Sequence, residues 1–598
     1  MKRIFHLLCV LLAALSCKPS SDAVMTEIPY TNPILHLDYS DPDVCRVGDT
    51  FYMTASSFNC FPGLPVLESS DLVHWNLISY ALADYPCDNS GDSFRGTVRH
   101  GEGVWAPSIR YHDGWFYIFV GDPDRGVFMV RSRSAEGPWE KPVWLVREKG
   151  FIDPCPLWDS SGNAWLSHAC AGSRAGLKSV LFVAPMSADG TSLLGPSRIV
   201  FDGHLTQPTI EGTKFYERSG WYYIFAPAGG VSTGWQTVLR SRSVYGPYEE
   251  RVVMAWAPGT VNGPHQGGWV SALDGTDWFL HFQDKGAYGR VVHLQPMSWR
   301  ADGWPVIGSD PDGDGVGQPV ASFCVPSSSR SSSLRENEGK CVTGTTAVAG
   351  VTQKGPEMRN ANDYGLGLDW QYPAVPEPYY HMALPDGGVR LYSVLQGNSG
   401  LWNCPNLLQQ KFPAESFSVT TSLVFKPNPQ LADGSESAGF VVMGESYAGL
   451  KLVSAGQTAK LQYVTCENAH KGTAEVTSFI ADVPAQPIAV DDSYASGNVP
   501  AVKYKDYMES TVWVKLDVAP QYQDGAESGI PDAVCSFSWS LDGENFVKAG
   551  PDFIAAPGRW IGAKFGFFCN RYAPKNDAGS LDILDLEITL PGAELNCK

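Results

Sequence analysis

A short unit recurs five times in the first half of the chain. Residues 48–54, 113–119, 161–167, 219–225 and 275–281 each place a Gly, Asp or Ser-Gly turn before an aromatic-rich run, as in Asp113-Gly114-Trp115-Phe116-Tyr117 and Ser219-Gly220-Trp221-Tyr222-Tyr223. Gly and Asp supply the backbone freedom a tight hairpin needs, and aromatic side chains suit a pleated surface. The units lie roughly 50–65 residues apart, within or slightly above the period of β-propeller blades.

The residues just upstream carry the chemistry. About seven to ten positions before each unit, one hairpin strand and its turn away, stand Asp41-Pro42, Trp105-Ala106-Pro107, Asp153-Pro154, Glu211-Gly212 and His265-Gln266. If the innermost strand of each blade starts there, these residues converge at one end of a central channel. Two Asp, one Glu, one His and one Trp would then face a common cavity, a set suited to cleaving carbohydrate.

A second echo supports duplication. Arg131-Ser132-Arg133-Ser134 leads into Gly137-Pro138-Trp139-Glu140, and Arg240-Ser241-Arg242-Ser243 leads into Gly246-Pro247-Tyr248-Glu249. These read as outer strands of two blades with matching turns, and Asp71-Leu72-Val73-His74-Trp75 as their counterpart in the first. Asp310-Pro311-Asp312-Gly313-Asp314-Gly315 lacks the Glu that would complete a calcium loop and reads as a Gly-rich turn. The propeller is expected over residues 28–320. A Ser-rich linker follows over 321–349. Residues 350–598 return to alternating strands, among them residues 417–425, 438–443, 512–516 and 581–590, and predict a β-sandwich. The fold class is therefore all-β: a five-bladed β-propeller followed by a β-sandwich.

Composition narrows the partners. The formal net charge of −19 argues against nucleic acid or an anionic membrane surface as ligand. A neutral sugar, stacked on some of the 19 Trp and 25 Tyr, fits better. Lys2-Arg3, the apolar residues 4–15 and the Ala14-Leu15-Ser16-Cys17 ending read as a signal peptide over 1–16, with Cys17 a lipidation site of bacterial type. Residues 17–27 would be a tether, and the protein would be exported to the periplasm or cell envelope, touching membrane only through that lipid. The chain holds 14 Cys. None has zinc spacing, and both disulfides and buried free thiols are compatible with the sequence.

Glycoside hydrolysis needs one carboxylate to activate water and one carboxylic acid to protonate the leaving oxygen. Asp41 is the candidate base, with Asp43 its equal on spacing, because strand alternation puts both on one face. Glu211, among Pro208-Thr209-Ile210 and Gly212, is the candidate acid, its partly apolar surroundings favouring the protonated form. Asp153 is a third carboxylate whose charge would push Glu211 further the same way. Trp105 is placed to stack on a sugar ring. His265 could hold a substrate hydroxyl, a channel water or a metal, and Arg290 could bridge carboxylates or grip a hydroxyl.

These motifs resemble glycoside hydrolase family 43, a family of inverting five-bladed propellers. The resemblance rests on Asp41-Pro42, Asp153-Pro154, Glu211-Gly212, Trp105-Ala106-Pro107, Arg290 and an axial His corresponding to His265. It selects Asp41 over Asp43 as general base, makes Glu211 the general acid and makes Asp153 the residue that tunes its pKa. It implies no required cofactor; in some members that His, or waters around it, coordinates calcium. Cys155 departs from the Ser that many members carry, which would alter the wall beside Asp153. Residues 406–414 and 438–443 resemble the concanavalin-A-like second domain of the family's β-xylosidases and α-L-arabinofuranosidases. That domain often lends a loop to the pocket rim, giving exo action. The pattern through Asn262-Gly263-Pro264-His265-Gln266-Gly267 and Ala287-Tyr288-Gly289-Arg290 lies nearest the arabinofuranosidase branch. The expectation is an exo-acting, inverting α-L-arabinofuranosidase acting on arabinose- or xylose-containing oligosaccharides from plant hemicellulose or pectin. A β-xylosidase with the same machinery is the first alternative, and a non-catalytic glycan-binding propeller the alternative of another class.

Overall fold

The computed structural model describes residues 27–86, 94–256, 263–326 and 364–591, apart from residues 386, 398–399, 432, 457, 489–506 and 524–528. The expected signal peptide, Cys17 and most of the tether lie outside the described residues. So does most of the Ser-rich stretch.

The five aromatic units are the second strands of five four-stranded antiparallel sheets. Blade I comprises Asp43–Val47, Thr50–Thr54, Gly63–Ser69 and Asn76–Leu82. Blade II comprises Trp105–His112, Trp115–Asp122, Gly126–Ser132 and Val143–Val146. Blade III holds Phe151–Trp158, Ala164–Cys170, Val180–Met186 and Arg198–Asp202. Blade IV holds Lys214–Arg218, Trp221–Ala228, Trp235–Ser241 and Glu249–Ala255. Blade V holds His265–Ser271, Asp277–Asp284, Arg290–Trp299 and Pro305–Ile307. In blades II and IV the first hairpin turns through two left-handed residues, Asp113-Gly114 and Ser219-Gly220. This is the geometry that matches strand twist.

The duplicated Arg-Ser-Arg-Ser motif has one physical job in both copies. Arg131 and Arg133 lie 4.7 and 3.8 Å from the Trp115 ring, and Arg240 and Arg242 lie 4.6 and 3.9 Å from Trp221. The first arginine of each pair also bridges to the acid after the turn, Arg131 to Glu140 and Arg240 to Glu249. At the Asp310 turn, Gly313 and Gly315 donate their N–H groups to the two Asp310 carboxylate oxygens.

The ring is closed by the start of the chain. Glu27–Thr31 pairs with Ser322–Pro326, so a strand occupies the beginning of the stretch expected to be linker. Ile34 and Leu35 then run along Val292 of blade V, which brings Asp38 and Asp41 to the top of the channel.

The second domain is a two-layered sandwich. One layer runs from Leu408–Lys411 through Lys564–Arg571, Glu436–Met443, Tyr447–Ala455 and Thr458–Cys466 to Val476–Pro487. The other joins Val389–Tyr392, Ser580–Thr589, Phe417–Lys426, Met508–Gln521 and Asp532–Ser540. Alternate residues of both layers, such as Val419, Leu423, Phe440, Val514 and Phe565, form the buried core between them. Ala287 and Tyr288 of blade V belong to that same core. Tyr372 and Phe61 exchange backbone hydrogen bonds across the domain boundary. The nine described cysteines outside the masked segments are all free thiols.

Candidate active site

The inner strand of each blade is distorted where it enters the channel mouth. Asp41, Ala106, Asp153, Gly212 and Gln266 all have positive φ, from +23° to +67°. In blades II, III and V the pairing register slips at this point, between Trp105 and Ser108, Ile152 and Cys155, and His265 and Gly267. These bulges turn the side chains of the first residues away from the alternating pleat and toward the axis. The positions expected from the repeat are therefore brought together.

Asp41 is buried and its Oδ2 accepts two hydroxyl donors, Ser40 Oγ at 2.7 Å and Ser56 Oγ at 2.6 Å. Ser56 in turn accepts the Ala106 N–H at 2.7 Å, which ties blade I to blade II. Arg290 Nη1 donates to Ser40 Oγ at 2.8 Å and stands 3.7 Å from Asp41 Oδ1. Asp43 has a separate role. Its Oδ2 lies 2.6 Å from Arg110 Nη1 and accepts the Ile109 N–H, in a fully buried position. Because Asp41 is left-handed, strand alternation does not carry across it, and the two carboxylates diverge.

Asp153 is buried, and its Oδ2 accepts the Gly212 N–H at 2.7 Å. Burial first, then the neighbouring Glu211 carboxyl, holds Asp153 well above the usual carboxylate range. The burial expected at Glu211 thus falls on Asp153. The Glu211 side chain is 33% exposed, with Oε1 3.3 Å from His265 Nε2. His265 is buried, and its Nδ1 has no protein partner. Among the described residues no group of three or more His, Cys, Asp or Glu is arranged to hold a metal. A calcium ion prefers six to eight oxygen ligands, so a lone imidazole nitrogen does not fit it.

Cys155 faces the channel below the site. Its Sγ accepts Phe215 N–H at 3.2 Å and Arg110 Nη2–H at 3.0 Å, so it joins the Asp43–Arg110 pair rather than lining the pocket beside Asp153. Lys214, also buried, donates to the Pro107 carbonyl and Ser108 hydroxyl at 2.9 and 3.0 Å. The floor of the pocket is therefore a filled, hydrogen-bonded plug.

Trp105 stands at the rim, its Nε1 donating to Gly101 O. Across from it is a residue that sequence reasoning missed. Trp560 of the sandwich lies 6.2 Å from the Trp105 ring, edge to face, and 5.8 Å from the Arg290 guanidinium. Asp38, likewise missed, fixes this approach. Its two oxygens accept the N–H groups of Arg290 at 2.8 Å and Gly562 at 2.9 Å. Ser56 and Asp38 carry no local motif, and Trp560 lies in the other domain. The one available signal was Gly558-Arg559-Trp560-Ile561-Gly562, an aromatic flanked by glycines.

The arrangement offers three carboxyl groups of unlike surroundings, Asp41, Asp153 and Glu211, an arginine beside the first and two indoles at the opening. Comparison with known proteins agrees. The profile "Glycosyl hydrolases family 43" matches residues 30–305, and "Beta xylosidase C-terminal Concanavalin A-like domain" matches residues 362–583. A Xylanibacter ruminicola protein named "Putative beta-xylosidase" is 39% identical over 90% of this chain and 85% of its own length. A non-reducing end alpha-L-arabinofuranosidase from Bacteroides ovatus is 29% identical over 70% of this chain and 74% of its own. A solved xylan beta-1,4-xylosidase from Bacillus halodurans shares the fold with a TM-score of 0.71 at 20% identity, covering 94% of this chain and all of that one. The chain is a two-domain member of glycosyl hydrolases family 43, and a glycoside hydrolase.

Proposed function

We propose that the protein is an exo-acting, inverting hydrolase that removes single terminal pentosyl residues from hemicellulosic oligosaccharides. The observation that carries this reading is the convergence of Asp41, at the entry to blade I, with Asp153 and Glu211, from the adjoining blades III and IV, tied by the Asp153–Gly212 and Arg290–Ser40–Asp41 hydrogen bonds. Asp41 accepts a proton from water, whose oxygen attacks the anomeric carbon. Glu211 gives its proton to the glycosidic oxygen as that bond breaks. Asp153 acts through the backbone: by fixing Gly212 it fixes the peptide that carries Glu211. Arg290 positions Asp41 and is within reach of a sugar hydroxyl. His265 orients Glu211. The Trp105–Trp560 pair narrows the entrance, which favours one sugar unit over an open cleft.

The names of the relatives that cover most of this chain put β-D-xylose first as the sugar removed. The Ala287-Tyr288-Gly289-Arg290 pattern and the Bacteroides ovatus relative favour α-L-arabinofuranose as the second reading. We further propose export by the N-terminal signal, with lipidation at Cys17, on the strength of Lys2-Arg3, the apolar run and the cysteine that follows.

Matched aryl β-D-xyloside and α-L-arabinofuranoside test the reading, with Asp41→Ala and Glu211→Gln as controls. Faster turnover of the xyloside, abolished by Asp41→Ala, with the opposite anomer released first, is the expected result. Preference for the arabinoside would select the second sugar with the same mechanism. Full activity of Glu211→Gln on a poor leaving group would overturn the assignment of the acid. Turnover of neither would overturn the proposed substrate class.

A further inference from the structure

Away from the catalytic pocket, a thiol and an amine meet at the domain boundary. Cys60 lies between the strands Thr50–Thr54 and Gly63–Ser69 of blade I, and Lys564 opens the sandwich strand Lys564–Arg571. Both are buried, at 1% and 3% exposure. Lys564 Nζ stands 3.0 Å from Cys60 Sγ and 3.4 Å from Gln371 Oε1. Gln409 Nε2 approaches the same sulfur at 3.8 Å. Among the described residues no carboxylate pairs with Lys564. A buried ammonium without a carboxylate is costly, and a second buried amine, Lys411, is close enough to feel Lys564. The site thus holds an amine nitrogen directly against a thiol, with an amide oxygen as its other polar neighbour.

Lys564, the amine side of the pair, also borders a space that a small oxidant could enter. A cavity of about 20 Å³, lined by Asn59, His100, Trp402, Met443, Ile561 and Lys564 among others, opens beside it. That volume accommodates a molecule of about the size of water, and dioxygen is of comparable dimensions.

We propose that Cys60 and Lys564 form a reversible covalent crosslink, S–O–N, that welds the propeller to the sandwich under oxidising conditions. Dioxygen is the oxidant. One of its atoms becomes the bridge between sulfur and nitrogen. The thiol loses its hydrogen and the amine one of its two, and these leave with the other oxygen atom as water. Sulfur and nitrogen together give up four electrons, which reduce the dioxygen. A thiol reductant supplies the four electrons and their protons, is itself oxidised to disulfide, and returns the free thiol and amine with release of water. The link would hold the strand that begins two residues after Gly562, and so the loop carrying Trp560, against blade I.

The test uses the full chain held in oxygen-saturated buffer, then split and treated with or without dithiothreitol. Intact mass and peptide mapping follow. The oxidised chain is expected to gain one oxygen and lose two hydrogens, and the peptides containing Cys60 and Lys564 are expected to be recovered joined. Dithiothreitol should separate them and restore one titratable thiol per chain. Cys60→Ser and Lys564→Arg should each abolish the joined peptide, but the wild-type mapping stands without them if either fails to fold. Recovery of Cys60 as a free thiol after oxygen exposure, or as a sulfinic or sulfonic acid with Lys564 unmodified, would overturn the proposal.

Discussion

Gly212 is where backbone geometry and proton transfer meet, and Gly212→Ala separates them. The residue has φ +67° and donates its N–H to Asp153. An added Cβ would lie 2.8 Å from Pro227 Cδ and 2.9 and 3.0 Å from Gln266 Cγ and Cδ. The left-handed backbone costs an alanine about 1–2 kcal/mol, and overpacking a filled site typically adds about 1–3 kcal/mol. Pro227 sits within a paired strand opposite Gln236 and cannot readily retreat. The strain is relieved instead by moving the Glu211–Gly212 peptide, which displaces the proposed acid. A displacement of about 1 Å costs on the order of 10²-fold in rate. The assay is kcat/KM on two substrates with the same sugar, one with a poor leaving group and one with a highly acidic phenol. The loss should be about 10²-fold on the first and under about 10-fold on the second, because only the poor leaving group needs the proton. Equal losses on both, measured well below the melting temperature, would refute the assignment of the effect to Glu211. No loss would refute the strain argument itself.

Trp560→Ala should raise KM for an oligosaccharide about tenfold, the equivalent of about 1.4 kcal/mol, while kcat stays within about twofold. An unchanged KM would remove Trp560 from the rim. The buried histidines predict acid lability. Burial pushes both His168 and His281 down to about 4 from the ordinary 6.5. His281 is held neutral between the Phe282 carbonyl and Gln295, and His168 stacks between Phe151 and Phe182. As pH falls the unfolded chain takes up these protons first. Their stabilisation is therefore complete above about pH 6.5 and is lost progressively toward pH 4, on the order of 2–3 kcal/mol per histidine. The melting temperature should fall across that window, and less so in His168→Gln. A flat profile would refute the reading.

The strand that starts each blade was legible because the turn and the aromatic run are local signals, separated from the channel residue by a fixed length of strand. Asp41, Trp105, Asp153, Glu211 and His265 follow from that register alone. The distinction between Asp41 and Asp43 was not legible from spacing, since it depends on a left-handed residue that breaks the alternation and on Arg110, 67 positions away. The burden of burial was likewise misplaced onto Glu211. Which of two adjacent carboxyls loses its water depends on how blades III and IV pack, and no neighbour in sequence reports it. Asp38, Ser56 and Trp560 lacked any pattern of their own. Each matters through hydrogen bonds or ring contacts to residues distant in sequence, and such pairings leave no periodic trace in a single chain.

Tyr288 is part of blade V by sequence and part of the sandwich by packing. Its hydroxyl donates to the Glu415 carbonyl, and the next turn delivers Arg290 to Asp41. In this chain the propeller and the sandwich therefore share one core across their boundary and do not separate as independent cassettes. Recombination that joins this propeller to a foreign second domain would bring together a greasy socket and a peg of the wrong shape, and the arginine beside Asp41 would shift with it. Diversification of what the enzyme accepts is therefore confined to coordinated change on both sides of one seam.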